Sequence, residues 1–334
     1  LTGRYGTRTG IGKVVDVHGT EVALALEETT IPEMLELSPH DYRTAVTGKW
    51  HLTYFHDQAS LHPLQQGFDY HAGPMANPSQ SIEIVTQNTD YSFWEKSING
   101  ELEFTETYLT TDTTDEAIGQ IATMSEPWFL YVPYNAPHEP LHIPPADLIH
   151  SPFELGTKSG RYNAMLQSVD SEIGRLLESM PEDLRARTTV VLIGDNGTPE
   201  FAIEPPFDSS RHKGTLFEGG VRVPWVVTGP FVREGGQTVQ AMVNVVDIFE
   251  TVAEIAEVDT DRLSRETGRA LDGESFLFHL MDPDLVPGRT YSFSERFGPN
   301  GSAPYDVIQR SIRDRRWKYI HTQTGDAQLF ELYE

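Results

Sequence analysis

The chain contains no cysteine in its 334 residues. That excludes disulfides, thiolate metal sites and a cysteine nucleophile within this stretch, and it leaves the redox compartment unread. Cationic residues are scarce: 6 Lys and 19 Arg face 50 Asp and Glu, for a net charge of −25. A surface of that sign repels the phosphate backbone, so nucleic acid is a poor partner. It also repels small anions at long range, so any anion site must be locally basic. No run approaches the roughly 18 apolar residues of a membrane span, no secretory leader is visible, and there is no internal repeat. The first residue is Leu, and Leu-Thr-Gly-Arg reads as the middle of an element. What is present is a globular composition: 38% hydrophobic, with 16 Phe, 13 Tyr and 5 Trp. The length allows one large α/β domain, or one domain with a small appendage.

Punctuation and periodicity outline the elements. Leu1 to Gly12 reads as a helix end running into a loop. Glu27 to Leu37 reads as a helix start, with Thr30 as N-cap, Pro32 in the first turn and Glu33 three residues on. Tyr42 to Leu52 reads as a strand entering a loop; Lys49 and His51, two apart, share one side of an extended chain. His62 to Gly73 is loop-like, and Asn77 to Glu106, without firm periodicity, reads as an insertion. Thr111 to Met124 has an apolar stripe at Ala117, Ile118, Ile121 and Ala122. Pro127 to Pro133 reads as a buried strand, followed by an extended, proline-stiffened loop that carries His138. Arg161 to Met180 is the clearest helix, with Met165, Leu166, Val169 and Met180 among its core positions. The β-branched run Thr188 to Gly194 fits a parallel strand covered on both faces. It ends in Asp195-Asn196-Gly197, where open α/β sheets place ligands. Asp247 and Glu250 have capping-box spacing for a helix to Val258. Beyond Pro287 the stretches Tyr291 to Arg296, Val307 to Ile320 and Gln328 to Tyr333 read as short strands, with turns at Gly298 to Gly301 and Thr324-Gly325.

The polar groups that follow apolar strands are Lys49, His51, His138, Asp195, Asn196 and Lys213. Asp and Asn oxygens suit a hard cation, although two are too few alone. Two Lys and two His form a donor set for a tetrahedral oxyanion, and a His can move a proton at neutral pH. Together they point to metal-assisted chemistry on a sulfate or phosphate ester, without a nucleophile among them.

In this light LTGRYGTRTG (1–10), TGKWHL (47–52), GFDYHAG (67–73), APHEP (136–140), GDNG (194–197) and KGTLFEGGVRVP (213–224) are informative. With VDIFETVAEIA (246–256), RRWKYI and LFELY near the end, the chain resembles the sulfatases of the alkaline phosphatase superfamily over nearly its whole length. The resemblance implies an alkaline phosphatase-like α/β fold, with a mostly parallel central sheet sandwiched by helices, over residues 1–286. A small antiparallel C-terminal subdomain is expected over 287–334. It further implies that Asp195 and Asn196 bind Ca2+, or Mg2+, and that Lys49 and Lys213 hold sulfate oxygens. His51 would take a proton beside the nucleophile, and His138 would contact the sulfate and the leaving oxygen. Glu218, Gly219, Gly220 and Arg222 would shape the loop behind Lys213. The family's nucleophile is a formylglycine made by a maturation enzyme from Cys or Ser in a Cys/Ser-x-Pro-x-Arg motif. That motif and the first metal-binding Asp pair are expected upstream of Leu1, which makes the stretch an inactive fragment of a longer enzyme, periplasmic or secreted. Thr53 and Thr198-Pro199 depart from the family pattern beside the site. The substrate implied is a sulfate ester, such as a sulfated carbohydrate. The alternatives are a phosphodiesterase or phosphonate monoester hydrolase of the same superfamily, or a sulfated-glycan-binding relic.

Overall fold

A computed structural model describes residues 1–19, 21–83, 89–285, 288–323 and 327–331. The expected turn at Thr324-Gly325, the end of the expected strand to Tyr333 and the expected boundary at 286/287 lie outside the described residues. The chain forms two compact units, one of Val15–Leu26 and His40–Glu182, the other of Leu1–Val14, Glu27–Pro39 and Asp183–Glu334. Among the described residues no helix is long and apolar enough to cross a membrane.

The unit holding residues 40–182 is built on five strands: β1 (Arg43–Thr47), β2 (Tyr70–Gly73), β3 (Trp94–Ile98), β4 (Glu101–Thr105) and β5 (Trp128–Tyr131). Their order is β4-β3-β2-β1-β5. The strands β2, β1 and β5 run parallel, and β3 and β4 extend the sheet antiparallel. Strand β1, between β2 and β5, is buried from Thr44 to Thr47, where its side chains are small or β-branched. Two stretches without sequence periodicity turn out to be structured. His62–Gln65 is a helical turn opened by Pro63, and β2 follows it directly. The expected insertion contains the β3–β4 hairpin, whose Asn99-Gly100 turn has φ of 50° and 94° at its two residues. Strand β5 is half-buried rather than buried.

Helix Leu109–Thr123 buries a face different from the expected apolar stripe. Of that stripe only Ala117 is buried, alongside Leu109, Thr110, Asp112, Thr113 and Thr114. The cause is an ion cluster. Lys96 of β3 reaches Asp112 and Glu116, both at 2.7 Å, and the Tyr70 hydroxyl donates to Glu116 at 2.6 Å. Buried charge is tolerated when it is paired in this way. The facing helix, Lys158–Ser179, starts on Thr157, whose hydroxyl accepts from Gly160 N. Met165 packs with Tyr91, Trp94 and Leu109 in the core and Met180 is buried, both as expected, but Leu166 is exposed.

In the second unit the capping box of Thr30 and Glu33 forms as expected, Thr30 N donating to Glu33 Oε2 at 2.8 Å. The first twelve residues hold one helical turn, Gly6–Thr9, rather than a helix end. The expected box of Asp247 and Glu250 does not form. Val246 is the N-cap of helix Asp247–Ile255. The buried Asp247 carboxylate accepts from Asn244 N, Glu274 N and Arg289, while Glu250 accepts from Thr260.

Strand β6 (Val190–Ile193) pairs antiparallel with β7 (Trp225–Thr228). That corrects the expectation of a parallel strand covered on both faces, for Leu192 and its partner Val226 are 44% and 55% exposed. A β-branched run suits either direction; the partner sets it. Strands β8 (Ser292–Gly298), β9 (Val307–Arg313), β10 (Trp317–Thr322) and β11 (Ala327–Glu331) form the expected antiparallel sheet. The run read as Val307 to Ile320 is split by a turn at Asp314, whose carboxylate accepts from Arg316 N and Trp317 N.

Candidate functional site

Strand β1 stops at Thr47, and its next four residues are fastened to the ends of its two neighbours. Gly48 N donates to Ala72 O and Lys49 N to Pro133 O; Trp50 N and His51 N donate to Pro74 O and Met75 O. Gly48 has φ of 125°, and a Cβ there would lie 2.4 Å from Pro133 O, so only glycine fits. Lys49 and His51 are therefore not on an extended chain, as expected from their spacing. Trp50 is buried between them and His51 is left-handed, with φ of 54°. They remain electrostatic neighbours. Lys49 Nζ donates to Asn77 Oδ1 at 2.7 Å. The His51 ring donates from Nε2 to Val15 O at 3.1 Å, which leaves the Nδ1 lone pair as its acceptor. Burial, then the positive charge of Lys49, with a smaller share from His138, lowers the His51 pKa to about 4. His51 is thus neutral at pH 7.

His138 belongs to the same neighbourhood. Its loop is a turn rather than extended, closed by His138 N donating to Asn135 O. The buried Tyr91 donates to its carbonyl at 2.8 Å, and His138 Nδ1 donates to Glu139 O at 2.9 Å. Lys49, His51 and His138 are thus brought together. Asn77 and Tyr91, which hold Lys49 and the His138 backbone, escaped the sequence reading; the only sequence signal was the Asn-Pro turn at Asn77.

Asp195, Asn196 and Lys213 lie in the other unit. Asp195 and Asn196 follow β6 in a bend, the first exposed and the second half-buried. Gly197 N donates to Gly220 O at 2.9 Å and Lys213 N donates to Thr198 O at 2.8 Å, so the two loops are tied backbone to backbone. Gly220 leaves no space, since a Cβ there would lie 2.2 Å from Thr215 O. Glu218 anchors the loop as expected of a structural residue. Its carboxylate accepts from Arg313 at 2.5 Å and from Lys318 at 2.9 Å. Among the described residues no three His, Cys, Asp or Glu side chains cluster as a complete metal site. Asp195 and Asn196 offer hard oxygen donors of the kind Ca2+ takes, as part of its six to eight.

A further imidazole, His71, is buried beside Gly48. His71 of β2 is fully buried, and neither ring nitrogen has a partner in good hydrogen-bond geometry among the described residues. Burial lowers its pKa to about 3, with the Gly48 carbonyl a smaller opposing influence. For His51 and His71 the native state binds fewer protons than the unfolded chain below pH 6.5. Stability is therefore complete above that pH and is lost as pH falls toward 4 and then 3. His71→Phe is expected to flatten this acid limb, saving on the order of 1–2 kcal/mol at pH 5. Urea unfolding of both chains at pH 5 and pH 8 measures it; an unchanged pH dependence would contradict the assignment.

The family model described as Sulfatase matches residues 1–258. The chain is 24% identical to mouse arylsulfatase J over 347 aligned positions, covering 97% of this chain and 56% of that protein. It is 28% identical to human N-acetylgalactosamine-6-sulfatase, covering 86% of this chain and 56% of that protein. It therefore spans little more than half the length of these relatives. Among solved structures it is similar to Ps i-CgsB, with a TM-score of 0.79 and 23% identity over 99% of this chain and 74% of that one. The same protein in complex with k-i-k-neocarrahexaose gives a TM-score of 0.73. At that identity the likeness establishes the fold, an alkaline phosphatase-like α/β architecture with a C-terminal antiparallel sheet. The ordered motifs, the fold and a family match over most of the chain agree: the chain belongs to the sulfatase family.

Proposed function

We propose that the protein containing this chain hydrolyses sulfate esters, and that sulfated carbohydrates are its substrates. The observation that carries the reading is the cluster of Lys49, His51 and His138, an ammonium with two imidazoles at one end of a rigid sheet. Lys49 holds sulfate oxygens by charge-assisted hydrogen bonds, and the resemblance implies the same kind of role for Lys213. His51, neutral with its Nδ1 lone pair available, accepts a proton. The negative charge of bound sulfate offsets the field of Lys49 and makes the ring a better base in the complex than in the free protein. His138, with Nδ1 donating to the backbone, presents Nε2 to the leaving oxygen. Asp195 and Asn196 would hold Ca2+, or Mg2+, with further oxygens from elsewhere; when bound, the cation neutralises charge on the sulfate. The nucleophile is proposed to be a formylglycine installed by a maturation enzyme, as the resemblance to the sulfatases implies; the Cys/Ser-x-Pro-x-Arg motif that would carry it does not occur in these 334 residues. The stretch alone is accordingly expected to be inactive. Carbohydrate substrates are favoured by the names of the similar proteins, one an N-acetylgalactosamine-6-sulfatase and one crystallised with neocarrahexaose.

Assay of the full-length protein with p-nitrophenyl sulfate and with bis-p-nitrophenyl phosphate tests the reading. Faster turnover of the sulfate is expected. Faster turnover of the diester would reassign the protein to phosphodiester or phosphonate chemistry, and turnover of neither, with sulfated glycan still bound, would make it a binding protein.

A further inference from the structure

Beside His138 lies an open cavity of about 520 Å3, contained within the unit of residues 40–182. Besides His138, its lining is Ser79, Glu139, Pro140, Leu141, Lys158 and Arg161. Two cations against one carboxylate make this pocket basic on a chain whose net charge is −25. Such an inversion is what an anion site on an acidic protein requires. Arg161 supplies the second observation. Its Nε is buried and has no hydrogen-bond partner among the described residues. A buried donor without an acceptor is costly, and an unpartnered group of this kind calls for an explanation such as a bound water or ion.

We infer that this cavity is a subsite for a second anionic group on the substrate, held by Arg161, Lys158 and Ser79 while the scissile sulfate lies at His138. The inference rests on the sulfatase reading and extends it, naming the preferred substrate as a saccharide with at least two anionic substituents. Arg161 and Lys158 take the second sulfate or carboxylate, Arg161 through a planar fork that matches such groups. Glu139 accepts from sugar hydroxyls, and Pro140 and Leu141 offer an apolar surface to the ring. A simple aryl sulfate has nothing to place there.

Calorimetric titration of the 334-residue chain with galactose 6-sulfate and galactose 2,6-disulfate tests this without requiring turnover. The disulfate is expected to bind about tenfold more tightly, equivalent to about 1.4 kcal/mol. That ratio is expected to fall near unity in Arg161→Gln and to shrink in Lys158→Met, with both variants checked by thermal melting. If the two sugars bind equally, or if the ratio survives in both variants, the subsite is overturned while the sulfatase reading stands. If neither sugar nor inorganic sulfate binds, with or without Ca2+, both fail together.

Discussion

Lys49→Ala is expected to lower kcat/KM of the full-length protein for an aryl sulfate by about 10²–10³. A preorganised charged donor aimed at developing negative charge contributes about 2.7–4 kcal/mol to such a step, because the site need not reorganise as charge appears. Lys49 is preorganised on two counts. Its amide is fixed to Pro133 O and its ammonium to Asn77 Oδ1 at 2.7 Å. The variant carries a second readout that a merely structural lysine would not move. Lys49 is the main charged group lowering the His51 pKa, so its loss should raise the His51 titration point above about 4. NMR titration of the imidazole in the 334-residue chain measures that shift independently of activity. Full activity in the alanine variant would remove Lys49 from the reaction, and an unmoved His51 would remove the coupling.

The largest stability effect is expected at Glu218, where replacement by Ala should cost about 3–5 kcal/mol. Lys318 is only 2% exposed, and burial pushes its pKa below the usual lysine range despite the opposing pull of Glu218. Removing the carboxylate leaves an ammonium buried without its partner and the Arg313 guanidinium short of one as well. Such a loss exceeds what any surface ion pair contributes. Adding Lys318→Met to the Ala variant should recover much of the stability, because the stranded charge is then gone. Denaturant unfolding of the three chains decides the matter: a loss below about 1 kcal/mol in the single variant would show the pair to be solvated. Glu218 opens the short helix Glu218–Val221 behind Lys213, so the same variant should also loosen the loop that ties Lys213 to Thr198.

What the sequence discloses depends on how local the cause is. The Thr30–Glu33 box is legible because both its hydrogen bonds close within four residues. Helix Lys158–Ser179 is legible because its apolar spacing is long, even though Glu172, a charged residue, is among its buried positions. The Asn99-Gly100 hairpin carried a local signal too, but a weak one beside β3, where Glu95 and Lys96 are buried by partners far along the chain. Strand β2 was hidden because a buried His71 reads as polar punctuation. The direction of β6 is a property of its partner β7, not of its own residues. At the candidate site, residue types and order were legible through the motifs. The turn at His138 and the fastening of Lys49 by Asn77 were not, since both are long-range results of how the loops meet.

Strand β4 closes one side of the five-stranded sheet with its backbone edge unpaired among the described strands. Its outward positions are Glu101 and Glu103, with Leu102 and Phe104 turned to the more covered face. A strand of a second copy docking there would set carboxylates against carboxylates along the new ladder, an arrangement that like-charge repulsion opposes. The acidic rim thus serves as a guard against self-association, letting a short hairpin end the sheet without inviting the next chain to continue it.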